Sequence, residues 1–508
     1  MKNNHPVKNK EKSVKLENTS KNLSSLRSII LDLVILIIIF VIGLLIYKEM
    51  NKETVIIDPF QVPLDLEKMN ITGQALVNKL LDQIEIIKEK TDTSYNNLDF
   101  KPVFFDSQLE IVIPGSGISL KSLLQNFKNF LGKKQTRISG EVVLNSGKIF
   151  LTIRVMGEPS KTFSGEISEL DEILKDAAQY VLIYTQPYLL AYYLYYNYED
   201  NKNEALEMIQ YTLTHDPKDD DAMAYTLDGS IKYDEGKYEE SIKLYKKAIE
   251  INPKFTDAYN GLAYSLFELK KYDEAEKIYT QALEIDPDNA YTYNYWAYLK
   301  EEKGNTEEAL AMYKKAVMLN PNNTEFTVDY GKILLKLKKY DEALEMFDKT
   351  IELEPKNPEG YYYKAEFFNE KGDYSESLFN YKKAIELNSK NIKTYIKAAK
   401  ILSEKKLYVE AKEILDKALV LKPGSYSPYF ETGNLLYEQK KYPEAVTMYK
   451  KSMEIDSAAG EIYKNLGKLY EEQKKYLDVE NLYKKAIRQN LSDSVYFVDK
   501  LKSLDVTE

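Results

Sequence analysis

One stretch of this 508-residue sequence decides the fold: Thr256–Asn289, which reads TDAYNGLAYSLFELKKYDEAEKIYTQALEIDPDN. It contains two short segments with apolar residues at helical spacing, and a proline follows the second segment. Prolines recur along the chain at intervals of 34 residues: Pro253, Pro287, Pro321, Pro355 and, two periods further on, Pro423. A fixed period of this length predicts stacked units of supersecondary structure.

Each unit combines small residues and aromatics on facing helices. The second helix of the quoted unit places Ala275, Tyr279 and Ala282 on one face, at i, i+4 and i+7. Asp286-Pro287 ends that helix, because proline lacks an N–H and restricts the residue before it. The first helix carries a small residue that recurs every 34 residues: Gly229, Ala263, Ala297, Gly331, Ala365, Ala399, Gly433 and Gly467. Small residues at these positions let the two helices approach closely.

This pattern closely resembles the tetratricopeptide repeat (TPR) family. The resemblance implies a mostly α-helical, right-handed solenoid of antiparallel helix pairs over residues 186–493. Gln186–Asp219 is a degenerate first unit, in which Tyr193 replaces the small residue. Eight regular units follow: 222–255, 256–289, 290–323, 324–357, 358–391, 392–425, 426–459 and 460–493. We expect residues 494–508 to form a capping helix and tail that cover the last apolar face.

The resemblance also implies a partner-binding groove, because the first helices of the family line a concave surface that binds peptides or partner helices. Carried onto this sequence, the groove would hold Asn260, Tyr264, Phe267, Asn294, Tyr298, Lys332, Tyr362, Lys400, Phe430, Asn434, Tyr437, Lys464 and Lys468. Asparagine amides can pair with any peptide backbone, and aromatics give contact area at low entropic cost. For any single residue, solvation or packing is the simpler interpretation. Asn434, Lys464 and Lys468 resemble part of a family clamp for C-terminal carboxylates, but the full set is not present in adjacent units.

The N-terminal region predicts a membrane anchor. Residues 1–27 carry seven lysines or arginines and are expected to be a disordered basic tail. Within residues 28–48, the run IILDLVILIIIFVIGLLIY has a single charge, Asp32, and as a helix would span about 28 Å. We therefore expect a single-pass transmembrane helix. The preceding basic flank places the N-terminus in the cytoplasm and the bulk of the chain outside it, in the periplasm or at the cell surface. Lys48 and Lys52 leave an inverted topology open.

Residues 54–185 lack the 34-residue period and predict a separate α+β domain. The expected elements are strands at 54–60, 109–113, 137–144, 148–156 and 161–165, and helices at 72–90, 120–131 and 169–184. Asn145-Ser146-Gly147 predicts a hairpin turn between the third and fourth strands. The loop Gly115-Ser116-Gly117 lacks a Walker lysine, so we interpret it as a plain turn.

Composition argues against most catalytic chemistry. The sequence has no cysteine and only two histidines, His5 and His215, and its formal net charge is −10. We therefore expect no enzyme, no cofactor, no metal and no nucleic-acid partner. The leading interpretation is a membrane-tethered scaffold that recruits protein partners through the TPR groove. Two alternatives remain: an accessory subunit or enzyme of envelope polysaccharide handling, using carboxylates of residues 54–185, and a cytoplasm-facing docking platform.

Overall fold

The computed structural model describes residues 54–91, 99–102, 136–197, 201–215, 220–489, 491 and 493–505. The predicted basic tail 1–27, the predicted transmembrane segment 28–48, the strand at 109–113, the 115–117 loop and the helix at 120–131 lie outside these residues. The chain divides into two compact units between Gly261 and Leu262.

The predicted membrane topology is corrected by the structure. Within the described ranges, no helix is both long enough and apolar enough to cross a membrane. The longest of these helices, Gly73–Glu89, has 17 residues and is amphipathic, whereas a spanning helix needs about 20 apolar residues. This finding contradicts the transmembrane and single-pass predictions, and we withdraw the extracytoplasmic localisation that rested on them.

A five-stranded sheet lies in the first unit. Its strands are β1 (Thr54–Ile57), β2 (Asp99–Pro102), β3 (Thr136–Asn145), β4 (Lys148–Val155) and β5 (Lys161–Glu166), in the order β2-β1-β3-β4-β5. β1 runs parallel to β2 and β3, while β3–β4 and β4–β5 are antiparallel. Ser146 and Gly147 both have positive φ, which is the backbone that a tight two-residue hairpin turn requires.

Helices cover one face of the sheet. They are α1 (Leu64–Glu67), α2 (Gly73–Glu89) and α3 (Leu170–Thr185). Thr72 caps α2 by accepting the Ala75 backbone N–H at 3.2 Å. An ion pair of 2.7 Å between Lys79 and Asp171 connects α2 to α3. The apolar core beneath these helices continues without a gap into the first helix pairs, where Leu190 belongs to the same buried cluster as Val55.

Helix pairs occupy the rest of the described chain. We call the first helix of each pair the A helix and the second the B helix. The A helices are α4 (Pro187–Asn197), α6 (Asp221–Asp234), α8 (Thr256–Glu268), α10 (Ala290–Glu302), α12 (Thr324–Lys336), α14 (Pro358–Glu370), α16 (Ile392–Glu404), α18 (Tyr426–Glu438) and α20 (Gly460–Glu472). The B helices are α5 (Lys202–His215), α7 (Tyr238–Ile251), α9 (Tyr272–Ile285), α11 (Thr306–Leu319), α13 (Tyr340–Leu353), α15 (Tyr374–Glu386), α17 (Tyr408–Leu421), α19 (Tyr442–Ile455) and α21 (Tyr476–Arg488). A last helix, α22 (Ser494–Asp505), packs Phe497 against Tyr463 and Tyr483. The described chain is therefore a mostly helical solenoid of helix pairs with a small N-terminal strand region.

The recurring small residue of the A helix faces a buried ring of the B helix. A Cβ added at Gly433 would lie 2.7 Å from the Tyr449 ring, and one at Gly331 would lie 2.5 Å from the Phe347 ring. Such distances are too short for ordinary van der Waals contact. The small residues recur every 34 residues because an aromatic ring of the B helix packs against the A helix at these positions.

Candidate partner-binding surface on the A helices

The predicted groove residues all lie on A helices, but the structure divides them by exposure. Five are buried with at most 8 % of their surface accessible: Asn260, Phe267, Asn294, Tyr362 and Phe430. Phe430, for example, packs 5.9 Å from the ring of Tyr449. Packing accounts for the apolar side chains among these five. The remaining residues form separate groups along the A helices.

An aromatic group lies on α8 and α10. The rings of Tyr264 and Phe267 are stacked at 5.9 Å, and the Tyr298 ring lies 5.3 Å from Phe267 and 6.3 Å from Tyr264. Tyr298 keeps 37 % of its surface exposed. Burial, and then the carboxylates of Glu302 and Glu268, raise the pKa of the Tyr298 phenol. The structure thus brings together three residues that the sequence predicted as groove-lining.

A polar group on α10, α12 and α14 surrounds Lys332. Its Nζ lies 2.9 Å from Asp329 Oδ1 and 5.5 Å above the Tyr363 ring. Asn294 Nδ2 donates to the other oxygen of Asp329 at 2.9 Å. Burial, the largest single influence, would lower the pKa of Lys332, but Asp329, Tyr363 and Glu359 together raise it above its usual value. Lys332 is therefore held as a cation within an internal network.

A cavity of about 320 Å³ opens on three successive A helices. Three predicted residues line it, Lys400 from α16 and Asn434 and Tyr437 from α18. The other lining residues are Ala399, Ser403, Glu404, Leu415, Glu431, Leu435, Glu438 and Asn465. The cavity thus combines amides, both signs of charge, an aromatic ring and an apolar floor.

Hydrogen bonds fix the amide at the centre of this cavity. Asn434 Oδ1 accepts from the Tyr449 hydroxyl at 2.7 Å and from Asn465 Nδ2 at 2.8 Å. Its Nδ2 donates to Glu431 at 3.0 Å, and Glu431 forms an ion pair of 2.7 Å with Lys400. Because both oxygen lone pairs of Asn434 are used, its orientation is set before any partner arrives.

The rim of the cavity carries charge and aromatic surface. Ser403 Oγ donates to Glu438 at 2.6 Å, and the Tyr437 hydroxyl donates to Glu472. Burial and the Glu472 carboxylate raise the pKa of Tyr437, so the phenol stays protonated. Lys468 lies 5.4 Å above the Tyr437 ring.

Lys464, by contrast, is already engaged. Its Nζ pairs with Asp493 at 3.0 Å and lies 5.2 Å above the Tyr496 ring. The partial clamp of Asn434, Lys464 and Lys468 therefore has one of its two cations neutralised within the chain.

One residue that orients this cavity, Tyr449, could not be assigned from the sequence. Tyr449 reads as a packing residue, and its ring is 1 % exposed, yet its hydroxyl orients Asn434. The repeat position of Tyr449 could have indicated this role, because tyrosines at the same position of other B helices form hydrogen bonds with side chains of their A helices. Tyr245 meets Ser230 at 3.0 Å, and Tyr483 donates to Glu471 at 3.1 Å.

Clusters suited to metal binding are not present in the part of the chain that the structure describes. No cluster of three or more His, Asp or Glu side chains there could hold a metal ion. Glu141 on the sheet forms an ion pair of 2.9 Å with Arg154. His215 stacks on Tyr211 at 4.3 Å at the end of α5.

Comparisons with protein families match the array to one class. Models of the tetratricopeptide repeat match residues 232–294 and 301–366, residues 278–311 and residues 358–391, and a TPR repeat model matches residues 433–474. Together with the helix pairs, these matches show that residues 232–391 and 433–474 contain tetratricopeptide repeats. A comparison with curated proteins returned no match.

Three solved structures are similar to part of this chain. A tetratricopeptide repeat protein from Parabacteroides merdae is 22% identical and covers 49% of this chain and 98% of its own, with a TM-score of 0.38. The APC/C hetero-tetramer Cut9–Hcn1 is 16% identical and covers 59% of each chain, with a TM-score of 0.43. YrrB, a TPR protein with an unusual peptide-binding site, is 21% identical and covers 37% of this chain and 96% of its own, with a TM-score of 0.30.

Proposed function

We propose that this protein is a non-enzymatic scaffold that binds protein partners through the exposed surface of its A helices. The observation that carries this proposal is the cavity around Asn434, because it offers fixed polar groups beside a half-buried aromatic ring, Tyr437. The TPR fold supports the same class of function, since stacked helix pairs present an extended surface with no active-site chemistry required.

The cavity suits one anchoring segment of a partner. Its volume of about 320 Å³ lies at the lower end of the range for small-ligand pockets, which corresponds to one or two side chains. The remaining Nδ2 hydrogen of Asn434 can donate to a peptide carbonyl, the Oδ1 of Asn465 can accept a peptide N–H, and the Tyr437 ring can cover an apolar side chain. Because these groups are already held in place, little ordering entropy is lost when a partner binds.

Photo-crosslinking of the full chain tests this proposal. A photoreactive residue at position 437 should capture specific partners from lysate, identified by mass spectrometry. Lys400→Glu should reduce that capture, because it reverses a cation on the cavity wall and repels Glu431. Lys417→Glu on the exposed side of α17 makes the same charge change away from the cavity and should leave capture unchanged.

Position 476 supplies the second control. Tyr476 is 52 % exposed at the start of the B helix α21, outside the cavity. If crosslinkers at positions 437 and 476 captured the same proteins to the same extent, the cavity would have no role in partner binding and the proposal would fail.

A further inference from the structure

The A-helix surface of residues 187–261 differs in chemistry from the surface around the cavity. Its first helix, α4, reads PYLLAYYLYYN and places Tyr188, Tyr192 and Tyr196 at i, i+4 and i+8. We call these three residues the tyrosine ladder. The ring centroids of Tyr188 and Tyr192 are 6.4 Å apart, and those of Tyr192 and Tyr196 are 4.4 Å apart. Tyr196 is 56 % exposed, so the end of the ladder presents an accessible ring.

Two carboxylates border the ladder. Asp234 ends α6 and accepts the hydroxyl of Tyr195, whose ring lies 4.8 Å from that of Tyr196. Asp257 lies in the first turn of α8 and is exposed. Burial, the Tyr245 phenol and then the carboxylates of Asp234 and Asp257 raise the pKa of Tyr196 to about 12. Asp257 also contributes to the raised pKa of Tyr188, so its charge acts on both ends of the ladder.

Three lysines near Asp234 are engaged by the adjacent carboxylate. Lys202, Lys232 and Lys237 all contact Glu235, at 2.9, 3.4 and 2.9 Å. Among the described residues, Asp234 and Asp257 therefore carry no direct ion pair of their own, and the three nearby lysines are held by the adjacent Glu235.

Several carboxylates on later A helices hold a lysine directly. Asp329 pairs with Lys332 at 2.9 Å, Glu301 with Lys336 at 2.8 Å and Glu431 with Lys400 at 2.7 Å. The ladder thus combines one exposed aromatic ring, Tyr196, with two carboxylates that form no ion pair with a lysine or arginine among the described residues.

We propose that this surface binds a lysine or arginine side chain from an extended segment of a partner protein. The proposal rests on the function proposed above and adds the chemistry of the partner. A cation placed over the Tyr196 ring is attracted by its π face, while Asp257 and Asp234 supply the counter-charge. Charge complementarity therefore selects a basic segment over an acidic or neutral one.

Fluorescence anisotropy with the full chain tests this assignment. The probe is a labelled peptide of alternating lysine and serine, and its counterpart carries glutamate in place of lysine. The lysine peptide should bind, and Asp257→Asn and Tyr196→Leu should each weaken that binding roughly three- to tenfold. Tyr196→Phe should retain binding, because it keeps the aromatic face. Asp82→Asn removes the same charge from an exposed position of α2 and serves as the matched control.

Three results would overturn the proposal. Equal affinity for the glutamate peptide would exclude recognition of a cation. Equal weakening by Asp82→Asn would show that only the overall charge of the protein matters. If the lysine peptide bound only after residues 1–27 were removed, the natural occupant of the surface would be this chain's own basic segment. Tyr437→Ala should leave the lysine peptide bound, so failure of the cavity and failure of this surface can be told apart.

Discussion

Two buried tyrosines at the same repeat position should respond in opposite directions to loss of the hydroxyl. Tyr279 and Tyr449 are 0 % and 1 % exposed on their B helices. The hydroxyl of Tyr449 donates to Asn434 at 2.7 Å. The hydroxyl of Tyr279 is buried and has no hydrogen-bond partner in the described part of the chain. The same substitution therefore removes a hydrogen bond at one site and an unpaired polar group at the other.

The structure sets the size of each effect. Tyr449→Phe should lower the free energy of unfolding by about 1 kcal/mol, the usual net value of one hydrogen bond. The loss stays small because Asn434 Oδ1 keeps the bond from Asn465 at 2.8 Å. Tyr279→Phe should raise the free energy of unfolding by about 1 kcal/mol, since burying an unpaired hydroxyl costs about 1–3 kcal/mol. The two variants should therefore differ by about 2 kcal/mol.

Amide hydrogen exchange measured by mass spectrometry gives the local stabilities. Repeat arrays need not unfold in one step, so the opening free energies of α9 and α19 are compared separately with those of the wild type. Tyr476→Phe, on a ring that is 52 % exposed, is the control for the chemical change alone and should have no effect. If Tyr279→Phe destabilised α9 as much as Tyr449→Phe destabilises α19, the reasoning about the unpaired hydroxyl would be refuted.

Two further predictions concern the first unit. Gly73→Ala should destabilise the sheet and its helices by about 3 kcal/mol, because the new Cβ would overlap the carbonyl oxygen of Phe60. Gly424→Ala is the control and should change stability little, because nothing lies within 4 Å of the added Cβ. Thermal unfolding of the two variants measures the difference. Hydrogen bonds from Lys202 and Lys237 lower the pKa of Glu235 from 4.5 to about 2, so its stabilising effect is complete above pH 4.5 and is lost as the pH falls toward 2. Glu235→Gln should therefore flatten the loss of stability between pH 4.5 and 2, and an unchanged acid transition would contradict this assignment.

The helix pairs could be predicted because their contacts are local in sequence. The unit 290–323 contains the helices Ala290–Glu302 and Thr306–Leu319, as its apolar spacing indicates. The Asn145–Gly147 turn identified the β3–β4 hairpin for the same reason. The parallel pairing of β1 with β2 and β3 could not be predicted from a local pattern in the sequence. Which strands pair over such distances depends on how the whole sheet packs.

The candidate cavity was predictable only in part. Repeat position alone identified Lys400, Asn434 and Tyr437 on the A helices. It could not show that Phe430 is covered by neighbouring rings or that Lys464 is neutralised by Asp493, because both depend on which side chains meet across elements. The membrane prediction was wrong for a different reason. It rested on the hydropathy of residues 28–48, whereas the described chain contains no helix that could span a membrane.

The parallel pairing of β1 has a consequence for the order in which the chain folds during synthesis. Val55 pairs with Thr136, and the apolar cluster around it also requires Leu174 of α3. Strand β1 therefore waits for most of the first unit before it can complete its pairing and packing, whereas each helix pair can form soon after it emerges from the ribosome. We expect the sheet to be the slow step of folding and the period in which its apolar strands most need protection from aggregation.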